Sequence, residues 1–101
     1  MENRNYIIML YDFYGELLSE KQRIYFEEYY FNNLSLGEIS KNLNISRNAV
    51  HKSILLSEEK LKFYEEKLRL YDKTNKIHDI IKEIDDDKLK KRLKELIGWN
   101  T

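Results

Sequence analysis

Apolar residues recur along most of this chain at three- and four-residue intervals, the spacing that lays a stripe along one face of a helix. Tyr6, Leu10, Phe13, Tyr14 and Leu17 predict a first amphipathic helix over residues 5–18. Ser19 followed by Gln22 is a capping-box pattern, so a second helix is expected from residue 20 to about residue 32. That helix carries Tyr25, Phe26, Tyr29, Tyr30 and Phe31, which must lie on two of its sides. Core packing with hydroxyls at the surface is the first expectation for them; base stacking and a protein–protein patch are the alternatives.

After a polar turn at residues 32–35, the pattern becomes most informative. Ser35 with Glu38 is a further capping box, and Leu36, Ile39 and Leu43 share one face of a short helix. Asn44 suits the left-handed backbone of a tight corner, Ile45 plugs that corner and Ser46 caps the next helix. Ala49, Val50, Ile54 and then Ser57 or Leu61 form the inner side of that helix. Two helices joined by a three-residue corner, with the small Ser40 where they cross, are the helix-turn-helix pattern, here over residues 35–57. The plain alternative is a three-helix core whose second motif helix happens to be polar.

In the motif the head of the second helix enters a groove of nucleic acid. Here that head offers Arg47, Asn48, His51 and Lys52, with Lys41 on the helix before it. Arginine suits guanine edges, asparagine suits adenine edges, and arginine and lysine neutralise phosphates.

Apolar positions continue without a stop from Ile54 through Leu61, Tyr64, Leu68 and Tyr71, predicting one helix longer than the motif needs. Glu58, Glu59, Lys60, Lys62, Glu65, Glu66, Lys67 and Arg69 are expected on its solvent side, with Glu58 and Lys62 as an i, i+4 pair. Residues 72–75 read as a polar break. Ile77, Ile80, Ile81 and Ile84 then form a short helix, residues 85–87 cap its successor, and Leu89, Leu93, Leu96 and Ile97 line the last one. Gly98 fits the stop, and Trp99 is expected to pack back on the bundle. The domain organisation expected is a helix-turn-helix domain over residues 1–71 and a helical extension over residues 72–101. Helices that short do not stand alone, so the extension is expected to pack on the long helix or on a second subunit.

With no proline and only three glycines, little interrupts helix formation, and 42% apolar residues suffice for a core. The fold class expected is all-α. The chain has zero net formal charge, which argues against indiscriminate polyanion binding; its distribution is more telling. Residues 1–34 carry six acids and three bases; residues 35–57 carry one acid and three bases. The motif is thus basic within an acidic half. A second basic cluster, Lys88, Lys90, Lys91, Arg92 and Lys94, is either a solvated helix face or a phosphate-contacting patch suited to a structured RNA.

Cysteine is absent, removing disulfides and thiolate metal sites, and no apolar run nears the length of a membrane span, so a cytoplasmic location without membrane insertion is expected. Residues 85–87 lack the glycine and distal glutamate of a calcium loop, and neither His51 nor His78 has a ligand partner one turn away. Without a glycine-rich phosphate loop either, the expectation is no enzyme, no metal and no cofactor.

The stretches YDFYGELLSEKQRIYFEEYYFNNLSLGEIS (residues 11–40), NISRNAVHKSI (44–54) and LKFYEEKLRL (61–70) resemble the YlxM family of small bacterial helix-turn-helix proteins. Residues 18–61 also look like the promoter-reading fourth region of bacterial sigma factors. The YlxM resemblance implies an all-α domain, often a homodimer. It further implies an auxiliary role beside the signal recognition particle, through its RNA or its proteins. It places Ser46, Arg47, Asn48, His51 and Lys52 at recognition-helix positions, where the family usually has Gln in place of Asn48 and Tyr in place of His51. A dimeric DNA-binding transcriptional regulator is the alternative function.

Overall fold

Three serine hydroxyls decide where the helices of the motif region begin. In the computed structural model, which describes residues 4–98, Ser19 Oγ accepts from the Gln22 amide at 3.2 Å while Gln22 Oε1 accepts from the Ser19 amide at 3.0 Å. Ser35 and Glu38 repeat the exchange at 3.1 and 3.0 Å, and Ser46 Oγ accepts from the Ala49 amide at 3.0 Å. Each cap satisfies amide donors that the first turn of a helix leaves over. The elements are α1 (Arg4–Tyr14), a 3₁₀ turn (Gly15–Leu17), α2 (Glu20–Tyr30), α3 (Leu36–Leu43), α4 (Arg47–Leu68), α5 (Leu70–Ile81) and α6 (Asp87–Leu96). No strand occurs among the described residues, and the all-α helix-turn-helix fold stands as expected.

The chain divides into two compact units, Met1–Leu68 and Arg69–Thr101. In the first, α1, α2 and α3 all pack against α4. Ile7, Leu10 and Tyr14 from α1, Phe26 and Tyr30 from α2, Ile39 from α3 and Val50, Ile54 and Leu61 from α4 form the buried core. Aromatic rings fill its α1–α2 side: Tyr11 stacks on Phe26 with centroids 4.3 Å apart, and Phe26 stacks on Tyr30 at 4.4 Å. Gly15 makes room for that stack, because a Cβ there would lie 2.9 Å from the Tyr11 ring.

Buried polar groups in this unit are matched. The Tyr14 hydroxyl donates to Glu65 Oε1 at 2.6 Å, joining the end of α1 to the last third of α4. The Ser57 hydroxyl, fully buried, donates to the Ser53 carbonyl one turn back, which leaves a small residue at the centre of the α4 face.

The second unit consists of α5 packed on α6. Asp86 caps α6, its Oδ1 accepting from the Lys88 and Leu89 amides at 3.0 and 3.1 Å. Gly98 follows the helix end with φ of 70°, a left-handed value that glycine adopts without strain. Thr74 and Ile81 are its buried residues, while Leu70, Ile77, Ile80, Leu89 and Leu96 remain exposed.

Several expected element details are corrected. The first α-helix stops at Tyr14 and tightens into the 3₁₀ turn, which leaves Leu17 exposed instead of on the core stripe. The second ends at Tyr30, and Phe31 lies past it, half in solvent. Ala49 faces solvent: the inner side of α4 runs Val50, Ile54, Ser57, Leu61, a strict one-face repeat that passes Ala49 by. Glu65 is buried by Tyr14, and Glu58 is half-buried, so neither belongs to the fully solvated side of α4. The long helix ends at Leu68, before a left-handed Arg69 (φ 54°), and Leu68 itself is exposed. Residues 72–75 are helical turns of α5, not a break, with Asp72 and Lys76 paired at 3.1 Å. Trp99 lies outside the described residues.

Candidate nucleic-acid interface

The corner between α3 and α4 is built by its own short side chains. Asn44 takes the left-handed conformation (φ 55°, ψ 47°) that ends α3. The Ile45 amide then donates back to the Ser40 carbonyl at 3.1 Å, and the Ser40 hydroxyl donates to the Ile45 carbonyl. These reciprocal bonds pin the corner at both ends. Ser46 caps α4, and the Val50 amide donates to the Ser46 carbonyl at 3.1 Å to begin the ladder.

That construction fixes which residues point outward. Val50 is fully buried and Ile54 nearly so (3% exposed), holding the head of α4 from behind. Arg47, Asn48, His51 and Lys52 are all exposed, as is Ser46 in front of them. Arg47 with His51, and Asn48 with Lys52, are i, i+4 neighbours, so the four form two adjacent rows along the helix head. Lys41, exposed in the last turn of α3, is the other predicted contact residue in this unit.

The local field is mixed. Ser35 backbone and side-chain bonds hold the Glu38 carboxyl below the usual carboxylate range, so the α3 cap remains anionic through neutral pH. The amides of Arg47 and Asn48 sit at positions that lie outside the helical ladder, at the positive end of the α4 dipole. Two cationic side chains, a bifunctional carboxamide and the head of a helix thus share one open face. Together they can neutralise phosphates and hydrogen-bond to base edges.

The five predicted residues of the second basic cluster lie on α6, in the other unit, and do not share one face. Lys88, Lys91 and Arg92 are exposed; Lys90 and Lys94 are half-buried and flank the side that carries Leu93 and Ile97. Among the described residues no group of three or more His, Asp or Glu side chains is placed to hold a metal ion.

One constellation escaped the sequence pattern. Arg4 donates through Nη2 to the carbonyls of Tyr29 and Tyr30 at 2.9 and 3.0 Å and to Asn33 Oδ1 at 3.1 Å, which caps the end of α2. The Tyr30 hydroxyl donates to Glu58 Oε2 on α4. Burial first, and that bond second, push the Tyr30 phenol well above its ordinary range. An arginine outside the apolar stripe and an acid in a mixed-charge run carried no local signal of either contact.

Comparison with known proteins fits this geometry. The family model described as "Putative helix-turn-helix protein, YlxM / p13 like" (UPF0122) matches residues 1–98. A UPF0122 protein of Malacoplasma penetrans is 45% identical over 89 residues, covering 88% of this chain and 83% of its own. One from Caldanaerobacter subterraneus subsp. tengcongensis is 52% identical over 59 residues, and one from Thermoanaerobacter sp. is 51% identical over 59 residues. In each of these last two, the match covers 58% of this chain and spans half the length of the relative. Among the described residues no helix is long and apolar enough to cross a membrane. With the motif's corner, caps and outward ridge in place and the family match running through nearly all of the sequence, the chain belongs to the UPF0122 family of YlxM / p13-like helix-turn-helix proteins.

Proposed function

We propose that this protein is a non-catalytic, cytoplasmic nucleic-acid-binding protein that holds a phosphodiester backbone with Ser46, Arg47, Asn48, His51 and Lys52, with Lys41 beside them. The observation that carries this reading is the openness of the ridge: Arg47, Asn48, His51 and Lys52 are all exposed, while Val50, Ile54 and Leu61 of the same helix are buried in the core. The resemblance described above suggests the finer role, an accessory component of the signal recognition particle pathway that contacts the particle's RNA or its proteins.

The chain's zero net charge means that affinity must come from local cations, and two copies would double them. A homodimer is part of the proposal. The second unit exposes Leu70, Ile80, Leu89 and Leu96, an apolar surface that a second copy would bury, so that unit serves as the helical extension that joins subunits. The α6 basic cluster, Lys88, Lys90, Lys91, Arg92 and Lys94, would add phosphate contacts to a structured RNA.

Binding of the particle's RNA across a salt series tests the ridge. Each phosphate contact contributes close to one unit to the slope of log affinity against log salt, so Arg47→Ala/Lys52→Ala should flatten it by about two units. An unchanged slope would remove the ridge from the contact. The second reading, a DNA-binding regulator, is favoured by Arg47 and Asn48 at the head of α4, a pair suited to guanine and adenine edges. A palindromic duplex bound more tightly than the RNA would select it, and the two α4 heads would then lie about 34 Å apart.

A further inference from the structure

Beside the ridge, the first unit contains a cleft of about 540 Å³. Arg4, Tyr29 and Tyr30 form one wall; His51, Leu55 and Glu58 form the other. The second wall is a single stripe of α4, since positions 51, 55 and 58 follow one another at helical spacing. His51 therefore belongs to both the ridge and the cleft, and the two are continuous.

The first wall is a rigid aromatic and cationic surface. The Arg4 guanidinium carbon lies 5.4 Å from the Tyr29 ring centroid and 4.6 Å from that of Tyr30, and its bonds to the α2 carbonyls hold it there. Tyr29 meets Tyr30 edge-on, with centroids 5.1 Å apart. Glu58 takes the Tyr30 hydroxyl on Oε2, and a carboxylate has further acceptor sites to offer. Leu55, exposed despite its size, supplies apolar surface between His51 and Glu58.

An aromatic face, a planar cation, an apolar strip and an acceptor-only group are the parts with which proteins recognise a base outside a duplex. We propose that this cleft receives one unpaired nucleobase of the nucleic acid held by the ridge, stacked against the Arg4–Tyr29 wall and donating its exocyclic amine to Glu58. The proposal rests on the nucleic-acid-binding reading above and specifies its ligand: a stem with an extruded base, not an uninterrupted duplex. A base preference follows from the carboxylate. Cytosine, adenine and guanine carry an exocyclic amine; uracil has none, and its one edge donor, N3–H, is flanked by two carbonyl oxygens that would face the Glu58 carboxylate. The cleft therefore selects against uracil. Arg4 and His51 at its edge favour the phosphates on either side of the extruded nucleotide.

Fluorescence anisotropy with four hairpins of one stem sequence tests this: fully paired, with a single cytosine bulge, with a uracil bulge, and with an abasic bulge. The cytosine bulge should bind the wild-type protein about tenfold more tightly than the paired stem, and the uracil and abasic bulges should lose most of that gain. Glu58→Gln, which keeps an oxygen for the Tyr30 hydroxyl, should erase the preference for cytosine over uracil, whereas its loss of one negative charge should shift affinity for all four hairpins alike. Tyr29→Ala should remove the bulge advantage, with helicity by circular dichroism checking that the fold persists. Equal wild-type affinity for bulged and paired stems, with the Arg47 and Lys52 dependence intact, would overturn the cleft proposal and leave the ridge standing. Failure to bind any hairpin would overturn both. Repeating the series in DNA identifies the source: equal gains mean that the base alone is read, and a larger gain in RNA means that the ribose is read too. Either result supports the cleft.

Discussion

Asn44 shows how far one residue can be read without its surroundings. Its amide side chain and tolerance of left-handed backbone marked the corner in the sequence, and its φ of 55° is found there. Any β-carbon in that conformation carries a cost that glycine avoids. Asn44→Gly should therefore preserve or slightly raise thermal stability, whereas Asn44→Ala should lower it by about 1 kcal/mol in chemical denaturation. A larger loss for glycine than for alanine would mean that the Asn44 side chain, not its backbone, holds the corner. The caps at Ser19, Ser35 and Ser46 were legible for the same reason, since donor and acceptor lie three residues apart in the chain. Glu58 and Glu65 were not legible, because the tyrosines that hold them come from α2 and α1, 28 and 51 positions away. Tyr30 makes that distant contact measurable. Burial and the Glu58 bond keep its phenol protonated above its ordinary value of about 10. Above that pH the unfolded chain binds fewer protons than the folded one, so stability must fall as pH rises through the alkaline range. Tyr11, raised by burial and by Glu27, acts in the same direction. Tyr30→Phe should cost about 1 kcal/mol at neutral pH and make the alkaline decline shallower; an unaltered pH profile would assign the decline to other groups.

At the scale of elements, periodicity found α1 to α4 and α6 but misplaced the boundary between α4 and α5. Nothing in the run from Leu61 to Tyr71 announces that α4 ends at Leu68, because Arg69 is an ordinary helix former that here adopts φ of 54°. The polar residues at 72–75 suggested an interruption, yet Asp72 and Lys76 close a pair across one turn of α5 and Thr74 is buried. Composition alone did not distinguish a polar helix turn from a loop. The opposite holds at the head of α4, where the signal was a single hydroxyl. Ser46→Ala removes the acceptor for the Ala49 amide and should destabilise the protein by about 1 kcal/mol. It should also loosen the turn that presents Arg47 and Asn48, so hydrogen exchange at Ala49 and Val50 should accelerate more than at Leu61. Uniform acceleration along α4 would instead mean that the cap acts only through global stability.

For the whole molecule, the charge distribution matters more than its total. Residues 1–68 hold eleven acids and nine bases, and residues 69–101 hold seven acids and nine bases, so the ridge sits on the more acidic unit. A single ridge of Arg47 and Lys52, with Lys41 nearby, is a small electrostatic footprint, and its salt dependence would be correspondingly shallow. If the second unit joins two copies, two ridges act on one target and the slope steepens. Leu89→Glu/Leu96→Glu separates these cases, because both side chains are exposed and lie on one side of α6, so a charge there should spare each unit's interior. Analytical ultracentrifugation should show the wild type at twice the mass of this variant. The variant's salt slope should be close to half the wild-type value, with Arg47 as important to each as before. A variant that stays dimeric would place the subunit contact elsewhere than α6. A monomeric variant with the full wild-type slope would show that one ridge, together with the basic side chains of its own chain, supplies all the phosphate contacts.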